Sequence, residues 1–347
     1  MIQEAIEKNK RLLFLFATWA RIAGCVLTAY GAFSIIYGVY LYWYKQNPFG
    51  DTHPYQMMIT MLQMSAFRFL FPAIFLFGVA ALVRWVVNRG SPLPWLVRNG
   101  HVMIYVYVVL YGAVSIWTVV GYAGRERTWP DNYDYLLQIV RYLIAFPKLL
   151  LWVCFAMVLR KGVALLDGSD SQPSLREAVE QNKRLLHFLA NTAGVIGLIY
   201  VALGAIEAHA YWIKYTREAA EMIRWADSGI DLTVQYFLPA VFMFGIYGLV
   251  QCVLDRGYPI LPVLTYGDKL IYAYVALRIL GFALTLGMYH PKLHDLSWSY
   301  ILMLAVMAAM YVISLVPLVV WVLFGKIMRR GVEVVKESRV IVQAQEA

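Results

Sequence analysis

Residues 69–94 read FLFPAIFLFGVAALVRWVVNRGSPLP, and residues 236–262 read YFLPAVFMFGIYGLVQCVLDRGYPILP. Pro72 has its counterpart in Pro239, Gly78 in Gly245, and the pair Arg89 and Gly90 in Arg256 and Gly257. Each stretch is an apolar run long enough to cross a bilayer, closed by a base, a glycine and a proline-containing turn. A stretch of this kind occurring twice implies that the chain was doubled, and the flanking sequence extends the match. EAIEKNKRLL at 4–13 returns as EAVEQNKRLL at 177–186. Gly24, Gly31 and Gly38 recur every seventh residue in the first apolar run, and Gly197 and Gly204 match the first two. Small residues at this period make a groove that lets a second helix approach closely.

Composition agrees with a membrane protein. The 347 residues are 61% hydrophobic and 15% charged, with a mean hydropathy of +0.61. Soluble domains are about half apolar and about a quarter charged. The net charge of +9 is not a nucleic-acid signature, because the bases gather at the ends of apolar runs, where lipid headgroups lie. Cys25, Cys154 and Cys252 all fall inside apolar runs without metal or redox spacing and read as packing residues. The start carries acids as well as bases, and the apolar run behind it is too long for a cleaved signal.

Read in order, the apolar runs predict an all-α integral membrane protein with eight transmembrane helices. The spans lie near 15–44, 69–88, 102–122, 133–159, 189–212, 233–254, 270–289 and 298–324. They group as a first four-helix repeat at 1–163, a linker at 164–176, a second repeat at 177–332 and a tail at 333–347. An even number of spans per repeat inserts both repeats the same way up, a parallel duplication. The greater number of Lys and Arg fall on the side of the two termini, so both termini are expected in the cytoplasm and the chain in the plasma membrane. Every second span is expected to leave the membrane through a base and a C-capping glycine, at Gly90, Gly162, Gly257 and Gly331.

Few charges interrupt these runs. At about 1.5 Å per residue, Arg68 and Arg141 stand roughly 30 Å from the cytoplasmic exits, where they snorkel to the outer headgroups. Lys148 stands about 21 Å from Gly162, and Arg278 about 16 Å from Gly267, near the midplane. A charge there costs at least about 2.5–3.5 kcal/mol on insertion scales unless paired or hydrated. Arg278 aligns with Tyr111, so it is present in one half only. Three roles are open to it: a lock onto tyrosines and backbone carbonyls, a contact with a partner's acid or a lipid phosphate, and a substrate-anion site. Glu207 is the one acid within a span and is read either as a partner of Lys148 or as an interfacial acid.

No nucleophile elbow, phosphate loop, zinc-helix motif or carboxylate cluster is present, so no enzyme activity, metal or cofactor is expected. His290, His294 and Asp295 would make a surface metal site but for Pro291, which interrupts the helix that would align them. Three functions are compatible with the sequence. One is an accessory or scaffold subunit of a larger membrane complex, in contact with partner subunits and anionic phospholipids. The second is a transporter or channel for an anion or anionic lipid using Arg278 and Lys148. The third is an electron-transfer subunit holding haem or quinone.

Overall fold

The computed structural model describes residues 2–44, 65–88, 93–123, 145–167, 175–215, 229–230, 232–255, 259–289, 315–334 and 336. Every element among them is helical. Four helical stretches among the described residues are long and apolar enough to cross a membrane: Ile6–Ile36, Gly100–Trp117, Lys183–His209 and Thr233–Leu254. Phe71–Val87 is apolar but shorter. This is the make-up of a helical protein compatible with several passes through a bilayer. The expected spans near 133–159 and 298–324 fall partly outside the described residues.

The chain divides into two compact units, Met1–Asp167 and Gly168–Ala347. In the first, helix α1 (Ile2–Tyr44) packs along α2 (Phe71–Val87), and α4 (Gly100–Ala123) packs along α5 (Ala145–Asp167). A four-residue helix, α3 (Trp95–Arg98), joins the two pairs. In the second, a short helix α6 (Leu175–Gln181) precedes α7 (Lys183–Tyr215), which packs along α8 (Leu238–Leu254). The four-residue α9 (Pro262–Thr265) leads to α10 (Gly267–Tyr289). The last described helix, α11, covers 315–334 and touches α10 where Gly325 faces Tyr272 and Trp321 meets Tyr274.

A five-residue π turn precedes α2 at Ala66–Leu70 and another precedes α8 at Thr233–Phe237. The prolines account for both. Pro72 and Pro239 have no N–H to donate, and their rings press on the carbonyl four residues back. A wider turn moves that carbonyl away while the helix continues. Once past the proline, α2 and α8 each run for 17 residues. The helical starts at 4–13 and 177–186 carry the same exposed pairing: Lys10 to Glu7 at 3.5 Å, and Lys183 to Glu180 at 3.7 Å. Such pairs contribute little to stability.

Polar side chains in the apolar helices bond within their own turns. The hydroxyls of Thr18, Thr28, Ser115 and Thr233 each donate to the carbonyl four residues back, at 2.8–2.9 Å. Each hydroxyl is thus satisfied without water or a neighbouring helix.

Two expected helix ends are corrected. Helix α5 runs through Gly162 to Asp167, into the stretch read as linker, and α11 runs through Gly331. Neither glycine is a C-cap, and a β-carbon at either would meet nothing within 4 Å. The helices continue because apolar residues follow the glycine, and one helical glycine costs only about 1 kcal/mol. Helix α2 instead ends on Asn88 and α8 on Asp255, both in non-helical conformation. Gly90 and Gly257 lie outside the described residues.

Candidate functional site

The glycine stripe lies where the first long helix of each unit meets the second. A β-carbon on Gly24 would come within 2.8 Å of the Phe77 ring, and one on Gly31 within 2.9 Å of Leu70 and 3.1 Å of the Phe69 β-carbon. In the second unit, one on Gly197 would sit 3.0 Å from the Phe244 ring, and one on Gly204 3.0 Å from the Tyr236 β-carbon. The missing side chains make room for rings on the facing helix. The surroundings of Gly38 are outside the described residues.

Glu207 is 4% exposed and sits on α7 beside this seam. The Tyr236 hydroxyl donates to its Oε1 at 2.6 Å, across the contact between α7 and the π turn that precedes α8. An acid in an apolar helix is therefore held by a tyrosine that sequence reading did not single out. At the same place in the first unit stands Phe69, its ring 4.5 Å from that of Tyr30. Tyr236 stands where the first stretch has Phe69, one of several differences between the two stretches, so the sequence alone did not mark the pair.

Of the bases in apolar runs, Arg141 lies outside the described residues, and of Arg68 only the backbone, in the first π turn, is described. Lys148 is half-buried near the start of α5. Arg278 is half-buried on α10, its guanidinium carbon 5.7 Å from the centre of the Tyr274 ring, one turn back on the same helix.

Two cavities are lined by arginines. In the first unit, Arg21 and Arg84 line a cleft of about 330 Å³ with Phe77, Trp85, Asn88 and Pro94, at the end of α2. The lining thus brings together two guanidiniums, an indole and an amide. The sequence alone does not join the two arginines, because the register of α1 against α2 is set by packing. In the second unit, Arg278 lines an apolar cavity of about 760 Å³ between α8, α10 and α11.

Among the described residues no group of three His, Cys, Asp or Glu is placed to hold a metal ion. His290, His294 and Asp295 fall outside them. Among the described residues the architecture is all-helical, with several helices long and apolar enough to cross a membrane. Compared with known family models, curated proteins and solved structures, the chain matches none of them.

Proposed function

We propose that this chain is a non-catalytic multi-pass protein of the plasma membrane, an accessory or scaffold subunit that packs against partner helices and anionic phospholipid. On this reading it has eight spans in two four-helix repeats inserted the same way up, with both termini in the cytoplasm. Support for the repeat comes from paired elements of equal length. The π turns are five residues each, α2 and α8 are 17 each, and α3 and α9 are four each.

The observation that carries the functional reading is the Arg21–Arg84 cleft in a body whose outer faces are apolar. Phe33, Ile36, Val109, Trp117 and Leu198 are among its large exposed side chains. Apolar flanks fit lipid tails and neighbouring helices, and the basic cleft fits a lipid phosphate. The test is purification in mild detergent, with the co-purifying chains and lipids identified by mass spectrometry. A second membrane polypeptide in fixed ratio, together with anionic phospholipid, is expected. A chain that runs alone with no enrichment of anionic lipid contradicts the reading.

A second reading, transport of an anion or anionic lipid with Arg278 and Lys148, is favoured by one observation. The cavity that Arg278 lines extends to Gly267 and Gly331, near the helix ends. Uptake of a labelled anionic lipid into proteoliposomes, abolished by Arg278→Gln, is what that reading expects.

A further inference from the structure

The two units fill one corresponding place differently. In the first, Phe67 lies 5.7 Å from Tyr107 and 5.0 Å from Tyr111, and Phe71 lies 4.9 Å from Tyr107, centre to centre. Tyr107 in turn stands 5.9 Å from Trp152. These rings close the space between α2, α4 and α5. The matching residues of the second unit are Val234, Leu238, Tyr274, Arg278 and Trp321. Tyr274 and Trp321 keep the same edge contact at 5.7 Å, but two phenylalanines have become a valine and a leucine, and a tyrosine has become an arginine.

The smaller side chains face a cavity of about 760 Å³ with almost wholly apolar walls. Its size and character are those of a ligand pocket, which holds roughly 300–1,000 Å³ and sets a few polar groups in an apolar lining. Left empty, such walls lack dispersion partners on one side. Arg278 adds a specific demand. Among the described residues its charged group has the Tyr274 ring at 5.7 Å, a contact with the π face that leaves N–H donors for an acceptor. A guanidinium presents those donors as a fork that matches a carboxylate or phosphate. One molecule meets both requirements if it has an anionic head and an alkyl chain.

We propose that the second unit holds one anionic lipid, its acidic head on Arg278 and its chain along Val234, Leu238 and Phe242. Among the described residues of the first unit, rings occupy the corresponding space. The proposal goes beyond both functional readings: a bound lipid is compatible with a fixed structural component and with a transported one.

The test uses the full chain, stripped of lipid in neutral detergent and titrated with four probes: oleate, phosphatidylglycerol, oleyl alcohol and inorganic phosphate. Binding is read by native mass spectrometry and thermal shift. Oleate or phosphatidylglycerol binds one per chain, the alcohol and the free phosphate bind at least about tenfold more weakly, and the tighter of the two lipids identifies the head. Arg278→Gln weakens binding by roughly tenfold or more, the scale of a lost charge-assisted hydrogen bond. The double variant Val234→Phe with Leu238→Phe, which copies the rings of the first unit and keeps Arg278, also abolishes it. The proposal is overturned if neither anionic lipid binds, if oleyl alcohol binds as well as oleate, or if phosphate alone binds as tightly. Either variant binding like wild type overturns it too.

Discussion

Tyr236 and Glu207 make a short polar contact, 2.6 Å between two buried side chains on facing helical segments. Interhelical hydrogen bonds in membranes average about 0.6 kcal/mol and reach about 1.7 kcal/mol. Tyr236→Phe is therefore expected to lower unfolding stability by about 1 kcal/mol, measured by denaturant titration in detergent. Phe69 already fills the corresponding place beside Gly31, so the loss reports the hydroxyl and not a misfit. Glu207→Gln keeps an oxygen acceptor and is expected to cost less than Tyr236→Phe; an equal or larger cost would locate the energy elsewhere on Glu207. The acid itself was legible in the sequence as the one carboxylate in a span. Its partner was not, because a bond between residues 29 apart depends on the register of two helices. Arg278 shows the same division. Its expected depth rests on helix rise alone, whereas the cavity beside it follows from three-dimensional packing.

At the scale of the element, the glycine seam decides which helices pair. Gly204→Val would drive a branched side chain into Tyr236 and Phe237, whose atoms lie 3.0 and 3.1 Å from the would-be β-carbon. Overpacking of this kind costs about 1–3 kcal/mol, and thermal unfolding of the variant should show the loss. Gly78→Ala is the control. No atom lies within 4 Å of its would-be β-carbon, so the variant should be neutral or gain up to about 1 kcal/mol from helix propensity. Equal losses in the two variants would mean that close packing is not what these glycines supply. The seven-residue spacing made the groove legible in sequence, since periodicity survives without knowledge of the partner. The rings that fill it were not legible, nor were the π turns. A proline signals a disturbed helix, but whether the helix kinks, breaks or widens depends on what surrounds it. The C-caps assigned to Gly162 and Gly331 failed for a related reason: glycine permits a helix end without requiring one.

For the whole molecule, the proposed function assigns two tasks to the basic residues: setting the orientation in the membrane and attracting anionic lipid. Arg21→Gln and Arg84→Gln are each expected to remove about 1 kcal/mol of attraction for anionic lipid, roughly fivefold in retention. Lipid analysis of the purified variants measures it, and unchanged phosphatidylglycerol content would remove the cleft from the account. The central claim, though, is that the doubled stretches enter the bilayer in the same direction. The most direct measurement replaces the three native cysteines and places single cysteines at Asn88→Cys and Asp255→Cys, the exposed ends of α2 and α8. Each variant is then labelled with an impermeant maleimide in sealed vesicles of known orientation. Reaction of both from the cytoplasmic face alone is the predicted result; labelling of one from each face would contradict the parallel duplication on which the account rests.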